Sequence, residues 1–159
     1  MPTLLAPAPA DTAALLALNN AHARETSALD SDGLSALIAS AWRVRTTPDT
    51  DGVCIALDQT AAYDNPNFAW FKNRHARFVY VDRIIVAEAA RGQGLARAFY
   101  EDLFETMRAE NQRILCCEVN RDPPNPGSDR FHAALGFEEV GEARLVDRGK
   151  TVRYLERRI

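Results

Sequence analysis

Gly92 and Gly94 stand where an apolar run, Ile84-Ile85-Val86, passes through a turn into an amphipathic stretch that opens Leu95-Ala96. A glycine turn between a strand and a helix can aim several backbone N–H groups, here those of Gln93 to Ala96, at one point. The helix macrodipole adds to the pull on an anion, and the phosphates of a nucleotide-like cofactor suit such a point. Arg91 adds a cation or braces the loop. The plainer alternative is that the glycines only make a tight turn. The cysteines Cys54, Cys116 and Cys117 all lie in apolar, strand-like runs. An odd count with one adjacent pair lacks zinc spacing and makes a poor disulfide framework. Buried thiols in a reducing cytoplasm are expected, with no metal and no cysteine nucleophile.

Two phosphate-binding turns fit poorly. The dinucleotide pattern Gly-x-Gly-x-x-Gly needs a final glycine for close helix packing, and that position is Arg97. A nucleoside-triphosphate loop needs Lys and then Ser or Thr at the helix start, and neither is there.

The elements that must position the turn are mixed. A short strand at Thr3-Leu4-Leu5 is expected, then a helix from Ala13 to about Ser27 capped by Asp11 or Thr12. A second helix covers Leu34 to Ser40. Strands are expected over Trp42 to Arg45, Val53 to Leu57 and, most strongly, Phe78 to Val86. Residues 60–77 are irregular. Phe68, Trp70 and Phe71 crowd there, as a short helix folded over the core or as a wall facing a substrate. A long helix follows the glycine turn to about Asn111, with Phe99, Tyr100, Leu103, Phe104 and Met107 on one face. Then come a strand from Ile114 to Val119 and a helix capped by Asn125, entered at Pro126 and closed by Gly136. Two strands, Phe137 to Val146 and Thr151 to Arg157, end the chain. No repeat or linker interrupts residues 1–159, which read as one domain.

Composition narrows the partners. Hydrophobic residues are 47% and charged residues 26% of 159, enough for one real core. The net charge of −3 argues against nucleic acid. The basic C-terminal stretch is broken by Asp147 and Glu156 and reads as a solvated strand pair. No apolar run approaches membrane-spanning length. The first Lys or Arg is Arg24, so no charged segment precedes Leu4-Leu5. A cytoplasmic location is expected.

Arg91-Gly92-Gln93-Gly94-Leu95-Ala96 resembles the Gln/Arg-x-x-Gly-x-Gly/Ala signature of the GNAT superfamily of N-acetyltransferases, at every specified position. Val86 sits where that family ends its central strand on an aliphatic residue. Asn125 to Phe137 is similar to a second family motif, an Asn, a small residue, an aromatic and then Leu-Gly-Phe. With the strand order, the likeness covers nearly the whole chain. It implies an α/β (α+β) single-domain GNAT fold: a mixed central sheet with a splayed pair of strands, flanked by helices. It implies acetyl-CoA as cofactor and acetyl transfer to a primary amine, small-molecule or peptide, by direct attack in a ternary complex. A different acyl donor, a homodimer, and a non-catalytic acyl-CoA-binding or sensor module on the same fold stay open.

By the same resemblance, the pantetheine arm lies along Ile84-Ile85-Val86, where a bulged strand splays from its neighbour and frees backbone groups. An N–H near Ile85 then faces the thioester carbonyl and stabilises the oxyanion. A lysine-like acceptor amine, with a pKa near ~10.4, is almost wholly protonated at pH 7, so reaction needs a base. Alternation puts Asp82 and Tyr80 on one strand face with Ile84, and Glu118 lies on the neighbouring strand, facing the acceptor. Tyr80 occupies the place where the family often has its catalytic Glu. Asp82 is favoured as base, directly or through water. An ion pair with Arg83 across a bulge competes with that role. The family's Tyr, four residues before the Gly of Leu-Gly-Phe, is replaced by His132. That residue either protonates the leaving thiolate or is structural. Asn125 hydrogen-bonds the cofactor arm, caps its helix, or does both. Phe68, Trp70 and Phe71 stand where family members often build the acceptor wall.

Overall fold

The computed structural model describes residues 1–159, apart from the side chain of Glu25. Six strands are formed: β1 (Arg43–Thr46), β2 (Gly52–Asp58), β3 (Val79–Val86), β4 (Ile114–Asp122), β5 (Glu138–Leu145) and β6 (Lys150–Arg158). The helices are α1 (Thr12–Ala21), α2 (Ala23–Thr26), α3 (Ser31–Ser40), α4 (Pro66–Arg74), α5 (Leu95–Ala109) and α6 (Pro126–Ala134). The strands join in one sheet, in the order β1-β2-β3-β4-β6-β5. All neighbours are antiparallel except β3 and β4, which are parallel and joined through α5. A parallel pair needs such a crossover.

Alternation along the central strands sets the layers. Val79 and Val81 of β3, with Leu115, Cys117 and Val119 of β4, point to one face and pack under α5 and α6. Phe78, Tyr80 and Cys116 point to the other, where Leu15, Leu34, Leu37, Phe68 and Phe71 cover them. A strand buried on both faces reads as a continuous apolar run, which is why this pair was the strongest strand signal in the sequence.

Two elements differ from expectation, and a third resolves the irregular stretch into the short helix that was one of its two readings. The first helix breaks at His22 into α1 and α2, and Ser27, at φ +86°, ends it. The N-terminal strand shrinks to one bridge, Leu5 with Thr46. Residues 66–74 are helical because Asn65 caps α4, its Oδ1 accepting from the N–H groups of Asn67 and Phe68, and Pro66 opens the first turn.

One irregularity shapes the site. Opposite β2, Val81 faces Ala56 and Arg83 faces Ile55, so Asp82 is an extra residue on β3. Such a bulge turns the strand and shifts its alternation. Beyond it, Ile84 and Val86 join the α5 side and Ile85 the α4 side. Tyr80 therefore shares a face with Ile85 rather than with Ile84, correcting the unbroken alternation read from the sequence. Among the described residues, no helix is long and apolar enough to cross a membrane.

The seam between α4 and the C-terminal hairpin is tight. The Trp70 indole stacks on Tyr154 with centroids 4.2 Å apart, and a Cβ at Gly141 would sit 2.5 Å from it. Gly141→Ala should therefore destabilise, although alanine is ordinarily no worse than glycine in a strand. The expected loss is about 1–3 kcal/mol by overpacking, read as a lower midpoint in denaturant. An unchanged or higher midpoint contradicts this packing.

Candidate active site

β3 and β4 pair at Val79 with Leu115 and at Tyr80 with Cys116, and then part. A cavity of about 530 Å³ opens in the gap, between the N-terminus of α5, the first turn of α6 and the α1–α2 corner. Backbone groups on its walls follow from alternation. The Ala87 N–H donates to Asp51 across β2. The Ile85 N–H, two residues back, points the same way, so the N–H groups of Ile84 and Val86 face the opening. These two groups flank Ile85, near which an exposed N–H is expected from the sequence.

At one end of the cavity the α5 N-terminus is bare. Gly94 is its N-cap, with no side chain capping the helix. Gly92 and Gly94 have φ of +78° and +79°, where glycine is favoured, and nothing lies within 4 Å of a Cβ built on either. No side chain caps the N–H groups of the first turn, and Arg91 lies beside them on the cavity wall. Leu95 is buried and anchors the helix, while Ala96 lines the cavity. An unblocked helix end with a neighbouring cation fits a diphosphate. Asn125 caps α6, its Oδ1 accepting from the Ser128 N–H at 3.3 Å, and also lines the cavity.

His132 is buried on the α6 side. Its Nδ1 donates to the Ser128 carbonyl at 2.8 Å, which fixes the tautomer, and its Nε2 accepts from the Tyr100 hydroxyl at 2.6 Å. Burial holds the imidazole below its ordinary pKa, so it is neutral at pH 7. Burial likewise keeps the Tyr100 phenol protonated. Tyr100, which the sequence pattern had placed in the core, lines the cavity and turns its hydroxyl to His132.

On the other side stands Glu118. Its Oε2 accepts from the Tyr80 hydroxyl at 2.7 Å and its Oε1 from Asn67 Nδ2 at 3.1 Å. Asn67, fully buried on α4, also accepts from the Tyr154 hydroxyl at 2.8 Å. Burial pushes the Glu118 carboxyl up to about 7. The Tyr80 and Asn67 hydrogen bonds and Lys150 oppose the rise, and Asp82 adds to it. Asp82 itself is committed elsewhere. It accepts from Arg83 Nε at 2.8 Å, with both side chains 3% exposed, and Arg83 Nη1 donates to Asn19 at 2.7 Å. The ion pair across the bulge, one of the two readings of Asp82, is what the structure has.

Phe68, Trp70 and Phe71 do not wall the cavity. Phe68 and Phe71 are core residues with centroids 5.7 and 5.9 Å from Tyr80, and Trp70 lies on Tyr154. The helix of this aromatic segment folds over the core, so the rings fix Tyr80, and Tyr80 fixes Glu118. Asn67, Asn120 and Lys150 join the site although no motif or spacing in the sequence marks them. A buried Asn between Asn65-Pro66 and Phe68 was the one available signal, and it looked like part of the turn.

Comparison with known proteins agrees with this geometry. The sequence profile described as Acetyltransferase (GNAT) family matches residues 46–137, more than half of the chain, and the chain belongs to that family. A phosphinothricin N-acetyltransferase of Streptomyces coelicolor is 35% identical over 65 residues, 41% of this chain and 37% of that protein. An acetyltransferase of Agrobacterium fabrum is 30% identical over 81 residues, 51% of this chain and 56% of that protein. The chain thus matches about a third to a half of the length of these curated relatives. Among solved structures, a ribosomal-protein-alanine N-acetyltransferase from Brucella melitensis superposes with a TM-score of 0.73 at 19% identity, covering 99% of both chains. An acetyltransferase from Salmonella typhimurium, solved with its cofactor acetyl-CoA, gives 0.71 at 18% identity and covers 98% of this chain and 92% of that one. At these identities the likeness shows the fold.

Tyr80→Phe keeps the ring packing and removes a donor that favours the ionised Glu118. The carboxyl should then titrate above its starting value of about 7. Carbon-13 shifts of labelled glutamate measure this, and a titration that stays put or falls contradicts the network.

Proposed function

We propose that the chain is an acetyl-CoA-dependent N-acetyltransferase that moves an acetyl group to a primary amine by direct attack. One observation carries the reading. The gap between β3 and β4 has a bare helix N-terminus on one side and a carboxyl near neutrality on the other. Acetyl-CoA supplies the activated acetyl thioester. The N–H groups of Gln93 to Ala96, with Arg91, hold its diphosphate. The outward N–H groups of Ile84 and Val86, with Asn125 across the gap, pair with its arm. An outward N–H of β3 is a donor for the carbonyl oxygen as negative charge develops there.

Glu118 is the base. Burial brings its carboxyl up to about 7, and the ionised form takes the proton of the attacking amine. The nitrogen–carbon bond forms, the carbon–sulfur bond breaks and the sulfur takes up a proton from water. Tyr100 lines that side of the cavity with its hydroxyl proton given to His132. Asp82, the base expected from the sequence, instead pairs with Arg83, and Tyr80 holds Glu118 rather than meeting the acceptor. The residues form one domain over 1–159, and the buried free thiols Cys54, Cys116 and Cys117 support a reducing, cytoplasmic setting.

Two measurements test this. In the wild type, kcat should rise with pH through about 7 and then level, since Glu118 acts when ionised. Glu118→Gln should lower kcat by roughly 10²-fold and abolish that limb. A wild-type rate and profile in the variant contradicts the role of Glu118. Separately, acetyl-CoA at a hundred times its Kd should stabilise the wild type by about 2.7 kcal/mol, a rise in Tm of about 5–10 °C. Gly94→Glu strains the turn and sets a carboxylate against the diphosphate, so the rise should vanish. If wild type gains nothing from any CoA compound, the reading fails.

A further inference from the structure

Among the described residues, the acceptor side of the cavity carries two donors with no hydrogen-bond partner. Lys150 opens β6 and Asn120 lies near the end of β4. Across the β4–β6 ladder Glu118 faces Tyr154 and Asn120 faces Val152. Tyr154 and Val152 both belong to the core under α1, α3 and α4. Alternation therefore sets Lys150, Asn120 and Glu118 on one face, the face away from α5 and α6. All three line the cavity. Among the described residues, no hydrogen bond or ion pair holds the side chain of Lys150 or of Asn120.

Charge accounting on this face says what is missing. Asp82 and Arg83 neutralise each other. Glu118 becomes neutral on taking the acceptor's proton. Lys150, half-buried and close enough to Glu118 for the ionised carboxylate to favour its charge, then loses that compensation. A plain amine offers it none. An anionic group beside the amine restores it, and a partly buried charge with no partner is costly. Asn120 can add a neutral N–H to the same anion.

Resting on the N-acetyltransferase reading, we propose that the acceptor is an α-amino acid whose carboxylate binds Lys150 and Asn120 while its amine faces Glu118. This separates a free amino acid from a peptide N-terminus, whose α-carboxyl is an amide, and from a lysine side chain, whose amine stands far from any carboxylate.

Matched triples test it: a free L-amino acid, its carboxamide and the decarboxylated amine, for methionine and for phenylalanine. Thiol release is followed with acetyl-CoA, and kcat/KM is expressed per unprotonated amine. In the wild type the acid should exceed its carboxamide and its bare amine by at least tenfold in one series. Lys150→Met should shrink the acid-to-carboxamide ratio at least tenfold, chiefly through KM, and Lys150→Arg should restore most of it. Asn120→Ala should move the ratio in the same direction by a smaller factor. Carboxamides or bare amines turned over as well as or better than acids overturn the inference and leave the N-acetyltransferase reading standing. So does a Lys150→Met that slows all three alike and shifts the acid limb of kcat, because Lys150 then acts only on Glu118. Thiol release with no amine of either series, while acetyl-CoA still raises Tm, also sinks the inference. Loss of the Tm rise itself sinks the parent reading.

Discussion

Two parallel strands that pair for two residues and then separate are the constraint behind everything else. Backbone N–H and C=O groups are obligatory hydrogen-bonding groups, and a sheet that opens at its centre leaves some of them without a ladder partner. β3 and β4 do this after Tyr80 and Cys116. The bulge at Asp82 comes two residues later and bends β3 away. The result is a gap with polar walls through the middle of an otherwise apolar sheet. Helix α5 leaves β3 at one edge of that gap, so its positive end faces into it without a cap. In the proposed acetyl transfer, the missing ladder partner is the amide-bearing arm of the cofactor.

The second element of the account is a carboxyl held at the edge of ionisation. Glu118 lies beneath core aromatics, and burial alone would drive it to the protonated form. Tyr80 and Asn67 each donate a hydrogen bond that pulls it back. The balance falls near neutrality. The donors are themselves fixed. Tyr80 is packed by Phe68 and Phe71, and Asn67 is tied to Tyr154. A helix that lines no part of the cavity thus governs the protonation of a group that does.

What was legible in the sequence, and what was not, follows from range. The glycine turn, the strand before it and the helix after it were legible, because φ-restricted glycines and helical periodicity are local signals. The two strands of the parallel pair were legible through their continuous apolar runs, though not their direction or pairing. A bulge in this strand is implied by the family resemblance, but its effect on the alternation is not legible: an extra residue in Val81-Asp82-Arg83 leaves no compositional mark, and only the register against Ile55 and Ala56 locates it. That one-residue slip changed the face shared by Tyr80. Asp82 and Glu118 could not be ranked from sequence, because the ranking depends on which finds a cation and which finds only neutral donors. The aromatic cluster at Phe68, Trp70 and Phe71 suggested both a core and a wall. Asn65 and Pro66 decided for the core by starting a helix there.

Amide hydrogen exchange read by NMR tests the central claim most directly, because it reports individual backbone N–H groups. On adding coenzyme A, exchange at Ile84, Val86 and Gln93 to Ala96 should slow together. Exchange at Ile85, whose N–H is already given to β2, should change little. Unchanged exchange at Ile84, Val86 and the turn in the presence of saturating coenzyme A would contradict the account.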